Sequence, residues 1–246
     1  MITFLLALLA GLSLGLLGGG GSILTVPILV YSANINPKSA VAMSLAIVGF
    51  TTLFGVYKNY QSKNIDFKIA LIFGLAAIPS TFIGSYLSQL ISGSSQLLLF
   101  SVIMIFAATF MFKDRKESTE IKDFNFTLTI LSGSIVGTMT GLIGVGGGFL
   151  IVPALMFFTG TDIKRAVGTS LFIISINSFF GFLSYINKVD IEWTFMIQFT
   201  VFSTIGILIG SQLVKYVSQK VLKKSFAIFL IIMGVFILYK NVGGID

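Results

Sequence analysis

The chain contains no cysteine and no histidine. The first absence excludes disulfides, thiolate nucleophiles and cysteine-ligated metals. The second removes the commonest metal ligand and the side chain that best relays protons near neutral pH. Charge is scarce too: Asp, Glu, Lys and Arg make up 10% of the 246 residues, against about 25% in a soluble domain. So few charges cannot cover a water-facing surface. The apolar segments hold neither a nucleophile with an activating base nor a metal cluster. Enzymatic activity, a metal and a cofactor are therefore not expected. The net charge of +7 does not make nucleic acid a partner, because in so apolar a chain the placement of Lys and Arg matters more than their sum.

Apolar residues are plentiful, at 55% of the chain with a mean hydropathy of +1.00. Apolar runs such as 97–112 and 225–239 recur along the whole length, separated by short polar clusters. This pattern predicts an all-α, polytopic membrane protein with the lipid bilayer as its surroundings. The apolar start, "MITFLLALLAGLSLG", lacks the basic residues that open a signal peptide. A matching segment recurs at 128–141, so the start reads as structure.

Two stretches stand out, "GLLGGGGSILTVPIL" at 15–29 and "GLIGVGGGFLIVPAL" at 141–155. A shift of 126 residues aligns 11–87 with 137–213 without a gap, and 24 of the 77 pairs are identical. Matched Leu and Ile mean little in apolar segments. Matched Gly18/Gly144, Gly20/Gly146, Gly21/Gly147, Pro27/Pro153, Lys38/Lys164 and Ser44/Ser170 mean more. The chain divides into a first repeat at 1–112, a linker at 113–125 containing "KDRKESTEIKD", and a second repeat at 126–246.

Each repeat reads as five apolar segments, near 2–17, 22–33, 39–57, 67–90 and 95–112, then 126–143, 148–159, 166–185, 193–214 and 224–240. A spanning helix needs about 20 residues, so the second segment of each repeat is too short to cross. If the first two segments form a hairpin that enters and leaves on one side, the basic residues sort cleanly. Lys58, Lys63 and Lys68, then Lys113, Arg115, Lys116 and Lys122, then Lys164 and Arg165, then Lys215, Lys220, Lys223 and Lys224 share a face. Only Lys38, Lys188 and Lys240 lie opposite. A single broken crossing instead of a hairpin leaves almost no bias. The positive-inside rule therefore selects the hairpin and makes the linker cytoplasmic. Each repeat then crosses an odd number of times, and the two are inverted, a pattern of many secondary transporters.

Backbone that turns inside a membrane must be buried in protein or line a cavity. Glycine permits the positive φ of such a turn and lets a ligand approach the N–H groups. A short helix beginning beyond each glycine tract would point its free N–H groups and positive dipole end inward, which suits an anion. The expected substrate-binding residues are Gly18, Gly19, Gly20, Gly21 and Ser22 in the first hairpin, and Gly144, Gly146, Gly147 and Gly148 in the second. Ser44 and Ser170 join them as matched hydroxyls, and Asn177 as an amide too costly in hydrocarbon to lack a partner. Gly11, Gly15, Gly137 and Gly141 are spaced for helix packing. Other Ser and Thr at depth, among them Ser13, Thr51, Thr52, Thr140 and Ser178, are expected to bond a carbonyl one turn back. Asp66, Asp162, Asp190 and Glu192 fall at segment edges.

The duplicated glycine-rich and Val-Pro signature, Gly18 to Ser22 with Val26-Pro27 and Gly144 to Gly148 with Val152-Pro153, resembles that of the TauE/SafE family of sulfite exporter-like permeases. The resemblance covers essentially the whole chain. It implies a multi-pass protein of a prokaryotic cell membrane that moves sulfite, an organosulfonate or a related small sulfur-containing anion, often outward. One departure is Val145, where the first repeat has Gly19. An anion channel and a proton-coupled importer of such anions are the alternatives.

Overall fold

The computed structural model describes residues 2–112, 126–143 and 148–242. The linker 113–125 and Gly144, Gly146 and Gly147 lie outside them. Every regular element among the described residues is helical. The order is α1 (Ile2–Leu17), α2 (Gly20–Pro27), α3 (Pro37–Gln61), α4 (Phe67–Leu87) and α5 (Gly93–Phe112), then α6 (Phe126–Ile143), α7 (Gly148–Ala154), α8 (Ile163–Tyr185), α9 (Trp193–Leu213) and α10 (Gln219–Val242).

Six of these helices, α3, α4, α6, α8, α9 and α10, are long and apolar enough to cross a membrane, some with short 3-10 extensions. At 18 residues α6 reaches that length, so length alone does not keep it from crossing. The outward surface is apolar: Leu5, Leu75, Ile83, Ile197, Val201 and Ile232 are all more than half exposed. A soluble protein buries such side chains, whereas lipid solvates them. Among the described residues no Asp, Glu, Lys or Arg is buried.

Helix ends follow local chemistry. Pro37 occupies the first turn of α3, where its missing N–H costs nothing, and the Asn36 side chain accepts from Lys38 N–H at 3.0 Å. Asp66 caps α4 by accepting from Ile69 N–H, and Asp162 caps α8 by accepting from Lys164 and Arg165 N–H. Pro27 is the last residue of α2 and Pro153 the last but one of α7, and each helix continues as a π turn, Ile28–Ser32 in one case and Leu155–Thr159 in the other. A proline cannot donate to the carbonyl four residues back, which loosens the ladder there. Positive φ then closes each unit, at Asn34 (55°) and Gly160 (70°).

Packing repeats with the same 126-residue offset. The four largest fully buried side chains are Phe73, Phe100, Phe199 and Phe226, which form two offset pairs. Helix α1 packs on α9 and α6 packs on α4, and the contacts exchange residue for residue. Gly11 abuts Ser203 as Gly137 abuts Ala77, and Gly15 abuts Ile207 and Ser211 as Gly141 abuts Thr81 and Ser85. These four glycines let two backbones touch, as their spacing indicated. In the centre α3 and α8 cross antiparallel, Gly49 meeting Ser178 and Gly168 meeting Asn64.

Candidate functional site

Helix α2 folds back along α1. Gly21 faces Ala10 and Leu14, and Thr3 Oγ1 lies 3.2 Å from Ser32 Oγ at the open end of the pair. The closed end is the glycine tract. Gly18 N–H donates to Leu14 carbonyl at 2.9 Å, ending α1, and Gly18 itself has φ +69°. A β-carbon there is strained and would also sit 2.8 Å from Ser170 Oγ. Gly19 caps α2 without a side chain, and the Ser22 hydroxyl donates to its carbonyl at 2.6 Å. The first N–H groups of α2, which opens at Gly20, have no partner inside the helix.

The turn rests on one face of α8. The buried Ser170 hydroxyl lies 3.1 Å from Gly18 carbonyl and 2.8 Å from that of Val167, donating to this pair. One turn on, a β-carbon added at Gly148 would come within 2.5 Å of Ile174 Cδ1 and 3.1 Å of Gly19 Cα. Gly148 of α7 and Gly19, the cap of α2, therefore meet over Ile174. Asn177 lies a further turn along this face. It is fully buried, and neither Nδ2 nor Oδ1 has a partner among the described residues.

Of the expected site residues, the structure brings Gly18, Gly19, Gly148 and Ser170 together. Gly21 is turned toward α1, and its lack of a side chain serves packing. Ser44 is fully buried and donates to Val41 carbonyl at 2.8 Å. Ser13, Thr52 and Thr140 do bond carbonyls of their own helices, as expected. Thr51 and Ser178 depart from that expectation. Both are buried and unpartnered among the described residues; Thr51 faces Leu14, Gly21, Thr25 and Ser203, and Ser178 lies against Gly49.

A second polar cluster escaped the sequence reading. Tyr185 O–H donates to Gly141 carbonyl at 2.8 Å and meets Ser88 Oγ, while Gln96 Nε2 donates to Leu142 carbonyl at 2.7 Å. It ties the end of α6 to α4, α5 and α8. The one signal was Gln96 itself, an amide at the edge of an apolar run. A groove of about 360 Å³ also opens between α3 and α8, lined by Leu45, Phe50, Leu53, Phe179 and other apolar side chains with Ser175. Its lining offers an anion almost nothing.

A family model described as sulfite exporter TauE/SafE matches residues 3–237. The chain is 30% identical over 241 residues to a "Probable membrane transporter protein" of Xylella fastidiosa, covering 95% of this chain and 92% of that one. It is 26% identical over 245 residues to the "Probable membrane transporter protein YdhB" of Bacillus subtilis, covering 97% and 100%. A relative of the same description in Methanocaldococcus jannaschii is 28% identical, covering 95% and 94%. No solved structure matches.

Proposed function

The chain belongs to the sulfite exporter TauE/SafE family of membrane transporters, and from that premise we propose that it exports a small sulfur-containing anion, such as sulfite or an organosulfonate, across a prokaryotic cell membrane. The observation that carries this reading is the meeting of Gly19, the cap of α2, with Gly148, the first described residue of α7, over Ile174 of α8. The N–H groups and positive dipole ends at the N-terminal side of two short helices favour negative charge without a buried Lys or Arg. Ser170 holds the turn from the other repeat, and Gly20, Ser22, Ser44, Gly144, Gly146 and Gly147 complete the proposed surroundings.

The same reading makes the two hairpins re-entrant and the repeats inverted. Three observations support it. Thr3 and Ser32 are neighbours, so the first hairpin leaves by the side it entered. The Asn241 amide donates to Tyr31 O–H at 2.7 Å, bringing the end of α10 to that side. The offset pair α3 and α8 run in opposite directions. The described carboxylates are helix caps or exposed ends, and the proposed carrier is driven by voltage rather than by a proton relay. The membrane potential supplies about 2.3 kcal/mol per charge per 100 mV, enough for a roughly fifty-fold outward gradient of a monovalent anion.

Purified protein in liposomes loaded with sulfite, sulfate, thiosulfate or small sulfonates tests this function. A saturable efflux of one of these anions is expected. Unitary currents without saturation would make the protein a channel, and no flux of any of them would end the proposal.

A further inference from the structure

We propose that Asn177 is the specificity-determining side chain of this site and selects an oxyanion that carries a proton of its own; this rests on the anion-carrier reading above. The carboxamide is fully buried, and both its polar atoms are without a hydrogen-bond partner among the described residues. The residue type does not force this. Asn59, buried on α3, donates to the carbonyl of Gly55 one turn back at 3.0 Å. Nearly every buried side-chain polar atom in a folded protein finds a partner, so an exception calls for a ligand or a water.

Position favours the ligand. Asn177 follows Ser170 by seven residues and Ile174 by three, so the three share a face of α8. Ser170 touches Gly18, and Ile174 underlies Gly19 and Gly148. The carboxamide therefore stands one turn beyond the meeting of the two short helices. Its counterpart 126 residues earlier is Thr51, also buried and unpartnered, beside Gly21 and Thr25 of α2. Both repeats place an unpaired donor at the same position. Only the second places a group that donates and accepts through separate atoms. Ser178 lies about 100° further round α8 against Gly49, off this face.

The donor and acceptor inventory then sets the substrate class. A carboxamide offers two N–H donors and one carbonyl acceptor. A fully deprotonated anion satisfies the N–H groups but presents negative charge to Oδ1. A singly protonated oxyanion satisfies both, accepting from Nδ2 and donating its O–H to Oδ1. With no buried cation among the described residues, the lower charge also reduces the cost of leaving water.

Sulfite is the probe, because it exists in protonated and deprotonated forms; methanesulfonate is the acceptor-only control. Binding to the purified full-length protein is measured by calorimetry across the pH range in which hydrogen sulfite ionises, for wild type, Asn177→Leu and Asn177→Thr. Wild-type affinity for total sulfite should fall as pH rises, following the protonated fraction, and methanesulfonate should bind weakly. Asn177→Leu should bind sulfite at least roughly tenfold more weakly, the loss of one good hydrogen bond, with its pH dependence gone. Its unfolding midpoint should be unchanged or higher, since an unpartnered amide is replaced by an apolar group of similar size. Asn177→Thr, which reproduces the first repeat, should fold and lose the preference for the protonated form even if the leucine variant does not fold. Wild-type affinity and pH dependence in either variant would overturn the proposal and leave the carrier reading standing. A wild type that binds no sulfur oxyanion overturns both.

Discussion

Ser170 and Gly18, 152 residues apart, are joined by a hydrogen bond of 3.1 Å from the hydroxyl of one repeat to the turn of the other. The bond lies at a residue of positive φ, where the chain leaves α1 and has yet to begin α2. Ser170→Ala should cost about 1–2 kcal/mol, because a buried carbonyl loses its side-chain donor. A denaturant titration in detergent measures this, and anion flux should fall with it. An unchanged midpoint would mean that the turn holds itself.

The glycines at helix crossings should behave differently from a glycine that merely sits in a helix. A β-carbon at Gly15 would lie 2.6 Å from the Ile207 carbonyl oxygen, so Gly15→Ala should destabilise by about 1–3 kcal/mol. Gly141→Ala should do likewise, since its contact is the offset equivalent. At Gly74, inside α4, nothing lies within 4 Å of the added atom. Gly74→Ala should be neutral or stabilising by up to about 1 kcal/mol, through lost freedom in the unfolded chain. The three unfolding midpoints in one detergent decide the matter.

Cysteine labelling reads the proposed topology on a chain that has no cysteine of its own. Asn187 is exposed between α8 and α9, and Gln61 is exposed at the end of α3. Asn34 is a poorer choice, since cysteine would be strained at its φ of 55°. An impermeant reagent added to intact cells should label Asn187→Cys and spare Gln61→Cys. Labelling of both from outside would defeat the inverted arrangement.

Much of this fold was legible because hydropathy and punctuation agreed. The segment at 67–90 matches α4 with its 3-10 extension end for end, and the segment at 2–17 ends with α1 at Leu17. Helix α3 begins two residues before the expected 39, because Asn36 and Pro37 form a cap that reads as loop chemistry. Helix α10 begins at Gln219 rather than near 224, its first turns carrying Lys220, Lys223 and Lys224 at a polar edge that hydropathy counts as outside. The exchange of α1 onto α9 and α6 onto α4 was not legible, since identical glycine spacings fit any small-residue partner. At the site, glycine marked where the chain turns, but tertiary packing decided which glycine faces which neighbour. Gly21 went to α1 and Gly18 to Ser170. Asn177 was conspicuous as a costly amide; that nothing among the described residues answers it is set by tertiary packing.

In the proposed carrier an anion crosses by way of the glycine turn, driven by voltage alone. The direct measurement is anion flux in proteoliposomes under an imposed potassium-diffusion potential with no pH or sodium gradient, comparing wild type with Gly20→Val. Saturable flux of a sulfur oxyanion toward the positive side is expected for wild type. None is expected for the variant, because a branched side chain at the start of α2 keeps the anion from the N–H groups. Flux that appears only with a proton or sodium gradient, or that survives Gly20→Val at the wild-type rate, would contradict it.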